Sequence, residues 1–148
     1  MKKNNNFSFD DLINEIEEEI RTVLDTKVKN TIIGKAKESV QENVLDVYEP
    51  IYYKRRSNKS SLKGLKNEWE STTTKTSNSL NLKIKNIAKP FNTWEGVKLD
   101  EAIEYGTSTE QDAPIYKRPR PFIEPVQEEL ENTDIIEKIL KENISYIK

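Results

Sequence analysis

Apolar positions near the start of the chain recur at steps of three and four: Ile13, Ile16, Ile20, Leu24, Val28, Ile32, Ala36, Val40, Val44 and Val47. That spacing draws one stripe along a helix. Unbroken, at ~1.5 Å per residue, the helix would run for roughly 50 Å. Ser8 or Asp10 is placed to cap its start, and acidic residues in its first turns complement the helix dipole. A kink is expected near Asp25-Thr26 or Gly34, because β-branched residues and glycine weaken a helix. The stripe lacks sustained a/d heptads, so it reads as a core-facing helix rather than a coiled coil. Glu49-Pro50 ends it, since proline pushes the preceding residue out of the helical region.

Beyond Pro50 the period changes. Ile51, Tyr52 and Tyr53 suit a short strand, and the Ser/Asn/Lys run that follows is a loop anchored by Leu62 and Leu65 around Gly64. Glu68 to Ser77 is rich in Thr behind Trp69, and Asn78-Ser79 reads as a turn. Leu80, Leu82 and Ile84 then alternate with Asn81, Lys83 and Lys85, which predicts an antiparallel hairpin with one buried face. Ile87 falls out of phase, so the strand bulges or ends near Asn86. After a connector containing Trp94, Leu99 to Tyr105 forms a short helix or turn with Leu99, Ala102, Ile103 and Tyr105 facing the sheet. Ile115 and Tyr116 suggest a last strand.

Pro121 and Pro125 suit the first turn of a final helix that carries Val126, Leu130, Ile135, Ile136, Ile139, Leu140 and Ile144. Asn132-Thr133 interrupts that helix, and Thr133 is placed to recap it. The predicted class is α+β: a long N-terminal helix and a C-terminal helix packed on one face of a small antiparallel sheet of three or four strands. The expected organisation is a flexible N-terminus over 1–7 and a single domain over 8–148, with a projecting basic loop at about 51–66.

Composition narrows the chemistry. The 148 residues are 34% hydrophobic and 34% charged, a low apolar share for a compact monomer. Either part of the chain is extended or neighbouring copies complete the burial. The net charge of −2 implies no bulk attraction to nucleic acid, so DNA binding would need a local basic patch. There is no Cys and no His, which excludes disulfides, thiolate or imidazole metal sites, Cys nucleophiles and a Ser-His-Asp triad. No calcium-loop spacing of Asp and no phosphate-binding glycine fingerprint is present, so no cofactor or metal is expected. The apolar runs fall short of the roughly 20 residues that span a bilayer, and the first residues lack the apolar core of a signal peptide.

Two basic runs remain. Lys54-Arg55-Arg56 follows Tyr52 and Tyr53 and precedes Lys59, Lys63 and Lys66. It is read first as a subunit interface through Tyr52, Tyr53, Arg55 and Arg56, then as a solvated loop, and third as a DNA contact. Lys117-Arg118-Pro119-Arg120 leads into a helix start, which attracts anions, but its alternating prolines favour a stiff strut in which Arg118 and Arg120 make subunit contacts. The carboxylates of Glu17, Glu18, Glu19, Glu128, Glu129 and Glu131 lie beside apolar positions and read as solvated helix faces rather than an acid–base pair. Trp69 and Trp94 read as anchors rather than base-stacking platforms. The chain therefore reads as a structural protein, not an enzyme.

The most informative stretch is Ala102-Ile103-Glu104-Tyr105-Gly106-Thr107, a polar loop, then Pro119-Arg120-Pro121-Phe122-Ile123-Glu124-Pro125 and Val126 to Leu130. It resembles the tail-completion, or head–tail joining, proteins of long-tailed bacteriophages, as does the order of long helix, basic loop and strands. Glu124 stands where that family commonly has a basic residue. The resemblance implies a ring in the virion neck, six-fold or twelve-fold, joining the DNA-filled head to the tail. Its partners would be further copies of itself, a portal-side connector or stopper, and a tail-tube or terminator protein. Genomic DNA would pass transiently and no membrane would be involved. Glu104, Tyr105, Gly106, Pro119, Pro121, Phe122 and Pro125 are the expected structural motif, with Gly106 shaping the exit, the prolines stiffening the re-entry and Phe122 docking the helix. A tail-terminator ring capping the tail tube is the alternative of the same class. A nucleic-acid-binding accessory protein using the basic loop is the alternative of another class.

Overall fold

A helical rod running from Phe9 to Leu45 is the spine of the computed structural model, which describes residues 8–47, 62–89, 98–106 and 119–147. The rod comprises α1 (Phe9–Val23), a π-helical turn (Leu24–Val28), α2 (Lys29–Val40) and a second π-helical turn (Gln41–Leu45). Ser8 starts it with a capping box: its hydroxyl accepts from the Asp10 and Asp11 N–H groups, and the Asp11 carboxylate accepts from the Ser8 N–H at 3.1 Å.

The first π turn falls on the expected weak point at Asp25-Thr26, whereas α2 runs unbroken through Gly34. A π turn adds a residue to the ring closed by each backbone bond, so it offsets the apolar stripe by one position. The buried residues accordingly step by five, from Val23 to Val28, across the first turn. In the second turn both Val44 and Leu45 are buried. The 3.6-residue pattern therefore names Leu24, which is half-buried, and omits Val23 and Leu45. Thr22 and Thr26 add side-chain bonds to the carbonyls of Glu18 and Thr22 at 2.8 and 2.7 Å, a back-bonding pattern that eases a helix off ideal geometry.

The hairpin lies along the rod. β1 (Trp69–Lys75) and β2 (Leu80–Asn86) pair antiparallel, with Trp69 opposite Asn86, Thr72 opposite Lys83 and Lys75 opposite Leu80. The Thr76 N–H donates to the Ser79 carbonyl at 2.8 Å and closes the turn. Thr73, Lys75, Leu82 and Ile84 share the inner face, where Thr73 bonds to Asp25 and Lys75 pairs with Glu17. Thr72, Thr74, Lys83 and Lys85 face outward. The strand ends at Asn86, whose side chain is buried and bridges the Leu65 carbonyl at 2.7 Å and the Ala88 N–H at 3.0 Å. The sheet has two strands among the described residues, a correction to the three or four expected. With one pair, the rod supplies the cover that further strands would otherwise give. Ile51–Tyr53, Ile115 and Tyr116 lie outside the described residues.

The end of the expected basic loop is a short helix, α3 (Leu62–Asn67), whose Leu65 is fully buried. It is followed by the hairpin and then by α4 (Leu99–Tyr105), α5 (Glu124–Asn132), α6 (Ile135–Asn143) and a 3₁₀ turn (Ser145–Ile147). Thr133 ends α5 by donating its hydroxyl back to the Glu129 carbonyl at 2.7 Å; Asp134, not Thr133, takes the N-cap position of α6. The interruption at Asn132-Thr133 is thus present, but the recapping role is corrected.

Two apolar clusters result. One joins Val40, Val44 and Leu45 of the rod to Leu65, Ala88, Leu99, Ile103 and Phe122, with Trp69 and Ile123 packed against it. The other joins Val23 and Val28 to Ile144, with Leu82 of the hairpin and Ile136, Ile139 and Leu140 of α6 around it. The C-terminal helices run back along the rod: Lys35 pairs with Glu129, the Ser145 N–H donates to Glu19 at 3.0 Å and the Tyr146 hydroxyl to Glu15 at 2.9 Å. The bond to Glu15 raises the Tyr146 phenol above its ordinary pKa. Glu17 and Glu19 therefore tie elements together rather than standing as a purely solvated face.

Gly34 costs the rod helix stability without serving its packing, since a Cβ there would meet nothing within 4 Å. Gly34→Ala should raise unfolding stability by about 0.5–1 kcal/mol, read as a higher urea midpoint with an unchanged slope.

Candidate functional site

The motif singled out from sequence is built from α4 and the entry to α5. α4 turns Leu99 and Ile103 into the first cluster and buries Ala102 as well. Its last residue, Tyr105, is 75% exposed, which corrects the expectation that it faces the sheet. Glu104 takes the inward position and is only 4% exposed. Helical steps of ~100° alone would set Tyr105 nearer than Glu104 to the line of Ala102 and Ile103, so the swap comes from the backbone donors that meet Glu104.

A buried carboxylate needs donors. Glu104 finds three, all backbone N–H groups at the start of α5. Its Oε2 accepts from Phe122 at 2.8 Å and Ile123 at 2.9 Å, and its Oε1 accepts from Glu124 at 3.0 Å. The first N–H groups of any helix lack partners within that helix. Here the N-cap position is Ile123, which makes no side-chain cap bond. Glu104 therefore caps α5 from another helix, with its charge at the positive end of the dipole.

Four neighbouring features hold this clasp. The Arg120 N–H donates to the Ile103 carbonyl at 2.8 Å, fastening the segment that enters α5 to α4. Phe122 is fully buried in the first cluster, and Pro125 sits in the first turn of α5, where a missing N–H costs nothing. Gly106 leaves α4 at φ 73°, ψ 172°, a region open essentially to glycine alone. Pro119 is exposed and Pro121 half-buried.

The structure thus brings together Glu104, Gly106, Arg120, Pro121, Phe122 and Pro125, with Tyr105 at the surface beside them. Tyr52, Tyr53, Arg55, Arg56 and Arg118 lie outside the described residues, as does Trp94. Trp69 is half-buried on the first cluster and donates its indole N–H to the Lys66 carbonyl at 3.2 Å, an anchoring position. The capping role of Glu104 escaped the sequence reading. Two signals point to it: a proline-entered helix start with no Ser, Thr, Asp or Asn at its cap, and a carboxylate set next to two apolar residues of a short helix.

Chemically the clasp is closed. The three N–H donors occupy both Glu104 oxygens, so the group binds backbone rather than a ligand. Among the described residues no group of three or more His, Cys, Asp or Glu could hold a metal ion, and no helix is long and apolar enough to cross a membrane.

Phe122→Ala should cost roughly 3–5 kcal/mol of unfolding stability, since the ring is fully enclosed. Glu104→Gln keeps the shape but sets an amide N–H₂ against backbone donors; it should cost about 1–3 kcal/mol in the same urea titration. A Gln variant as stable as the parent would show that the clasp contributes nothing.

The sequence model of the YomN family matches residues 8–146, a span that includes the rod, the hairpin and the clasp. No curated protein and no solved structure matches the chain. With nearly the whole length covered, the chain belongs to the YomN family, a phage-associated family.

Proposed function

We propose that this protein is a non-enzymatic structural part of the phage virion neck, forming a ring that joins the DNA-filled head to the tail. The observation that carries the reading is the clasp. The residues that resemble the head–tail joining proteins, Ala102 to Gly106 and Pro119 to Pro125, form one structural unit around Glu104 in a chain of a phage-associated family. Its closed chemistry suits a part whose work is shape.

A ring of identical subunits completes its burial through head-to-tail contacts. Large apolar side chains left at the surface support that use: Phe9 and Tyr105 are each 75% exposed and Val47 is 65% exposed. In this reading the ring stacks between a portal-side connector or stopper and the tail tube or its terminator. Arg120, with Arg118 and the run Tyr52 to Arg56, contributes subunit contacts. Genomic DNA crosses the lumen without strong phosphate contacts, which would slow its passage.

Electron microscopy of particles made without this protein tests the assignment. The expected result is filled heads and separate tails. Joined, intact virions would overturn it.

A further inference from the structure

The apolar stripe of the rod outruns its cover. Steps of ~100° put Phe9, Ile13, Ile16 and Ile20 on one line of α1. Ile20 packs against the second cluster, and Ile16 is half-buried. Phe9 and Ile13, beyond them, are 75% and 39% exposed among the described residues. The Ser8–Asp11 capping box fixes the backbone of this turn, so both side chains are presented from a formed helix. Asp10 and Glu17 border the stripe on one side and Glu15 on the other. The bond that Glu15 accepts comes from the neutral Tyr146 hydroxyl and leaves its charge standing, whereas Glu17 meets Lys75. From Asn4 to Ile20 the chain has six carboxylates, Asp10, Asp11, Glu15, Glu17, Glu18 and Glu19, and no Lys or Arg. A partner matched to this face carries apolar side chains beside cations.

The segment of the chain richest in that chemistry follows the rod. From Ile51 to Asn67 there are six cations, Lys54, Arg55, Arg56, Lys59, Lys63 and Lys66, and no Asp or Glu, with Ile51, Tyr52 and Tyr53 at the head of the run. The shorter run Lys117 to Arg120 is already fastened at its end to α4 through the Arg120 N–H. Tyr52 to Arg56 cannot reach α1 of their own chain. The segment leaves the rod at Val47 and returns to it at α3, whose Leu65 shares a cluster with Val40, Val44 and Leu45. Tyr52 comes five residues after Val47 and Arg56 six before Leu62, so at ~3.5 Å per residue both stay within about 20 Å of that end of the rod. Phe9 stands at the other end, about 36 residues from Leu45 and so roughly 50 Å away.

We propose that the first turns of α1 receive the Tyr52–Arg56 segment of a second copy of this chain, its aromatic residues over Phe9 and Ile13 and its cations beside Asp10 and Glu15. Burial of apolar surface holds the contact, while opposite charge sets its register and rejects a second α1. The acidic face and the basic segment belong to opposite ends of the rod, so the contact is heterologous: each added copy leaves one of each free until a ring closes. The choice of a second copy as occupant rests on the ring reading given above.

Two double variants of the full chain test the contact. Phe9→Ala with Asp10→Lys disables the face, and Arg55→Glu with Arg56→Glu disables the segment; thermal unfolding checks that both remain folded. In sedimentation velocity the parent should self-associate, less so as salt rises, and each variant should associate about tenfold more weakly or worse. An equimolar mixture restores one contact, between the intact segment of the first variant and the intact face of the second, and should stop at dimers. A segment variant that associates as tightly as the parent would pass the role to Lys117–Arg120 or another surface and overturn the proposal. An unaffected face variant, a mixture without dimers, or a parent that stays monomeric at every concentration would overturn it too. The neck assignment fails separately, by joined virions in the micrographs of particles lacking the protein.

Discussion

The C-terminal third of this protein depends on one carboxylate. Glu104 is buried, and a buried carboxylate is tolerable only where donors surround it. The start of α5 has the opposite need, because its leading N–H groups have no partners of their own. Joining the two meets both needs at once. It also fixes direction: α5 must begin where the end of α4 presents Glu104, and Phe122 then enters the cluster formed by Val40, Val44, Leu65, Leu99 and Ile103. The placement of α5 beside α2, sealed outside by the pair Lys35–Glu129, follows from that start.

The rod is the second organising element. It is long enough to serve both apolar clusters, one near each end of the hairpin. A regular helix of this length would rotate its stripe slowly away from a straight seam. The two π turns, at Leu24–Val28 and Gln41–Leu45, reset the stripe where the clusters lie. Hairpin and C-terminal helices then gather on the rod by mixed apolar and polar contacts, with Asp25–Thr73 and Glu17–Lys75 on the hairpin side and Glu15–Tyr146 and Glu19–Ser145 on the tail side. This accounts for a fold with so many charges: several of the acidic residues of α1 act as ties between elements.

The proposed role follows from the same economy of chemistry. The chain has neither His nor Cys, and the most deeply buried carboxylate among the described residues is committed to backbone donors. The described surface carries exposed aromatic groups, Phe9, Tyr105 and Tyr146. In the reading proposed above, a phage-associated protein of this kind serves the neck as an assembly part, and such groups are where copies would meet.

Much of the fold was legible in the order of residues because short-range physics decides it. The three-and-four spacing of Ile16 to Val44 makes a helix wherever it lies, Ser8 caps it locally, and the alternation of Leu80, Leu82 and Ile84 makes a strand. Gly106, Pro125 and Phe122 likewise announced a turn, a helix entry and a buried ring from their own stereochemistry. Tertiary structure alone decided the rest. Whether Glu104 or Tyr105 faces inward depends on donors that come from some twenty residues away in the chain. The five-residue step from Val23 to Val28 depends on what packs on either side of it, and the use of Glu17 and Glu19 depends on where the hairpin and tail arrive. Local sequence sets which elements form; which carboxylate is buried, and against what, is set only when distant backbone groups bring their unmet hydrogen bonds to it.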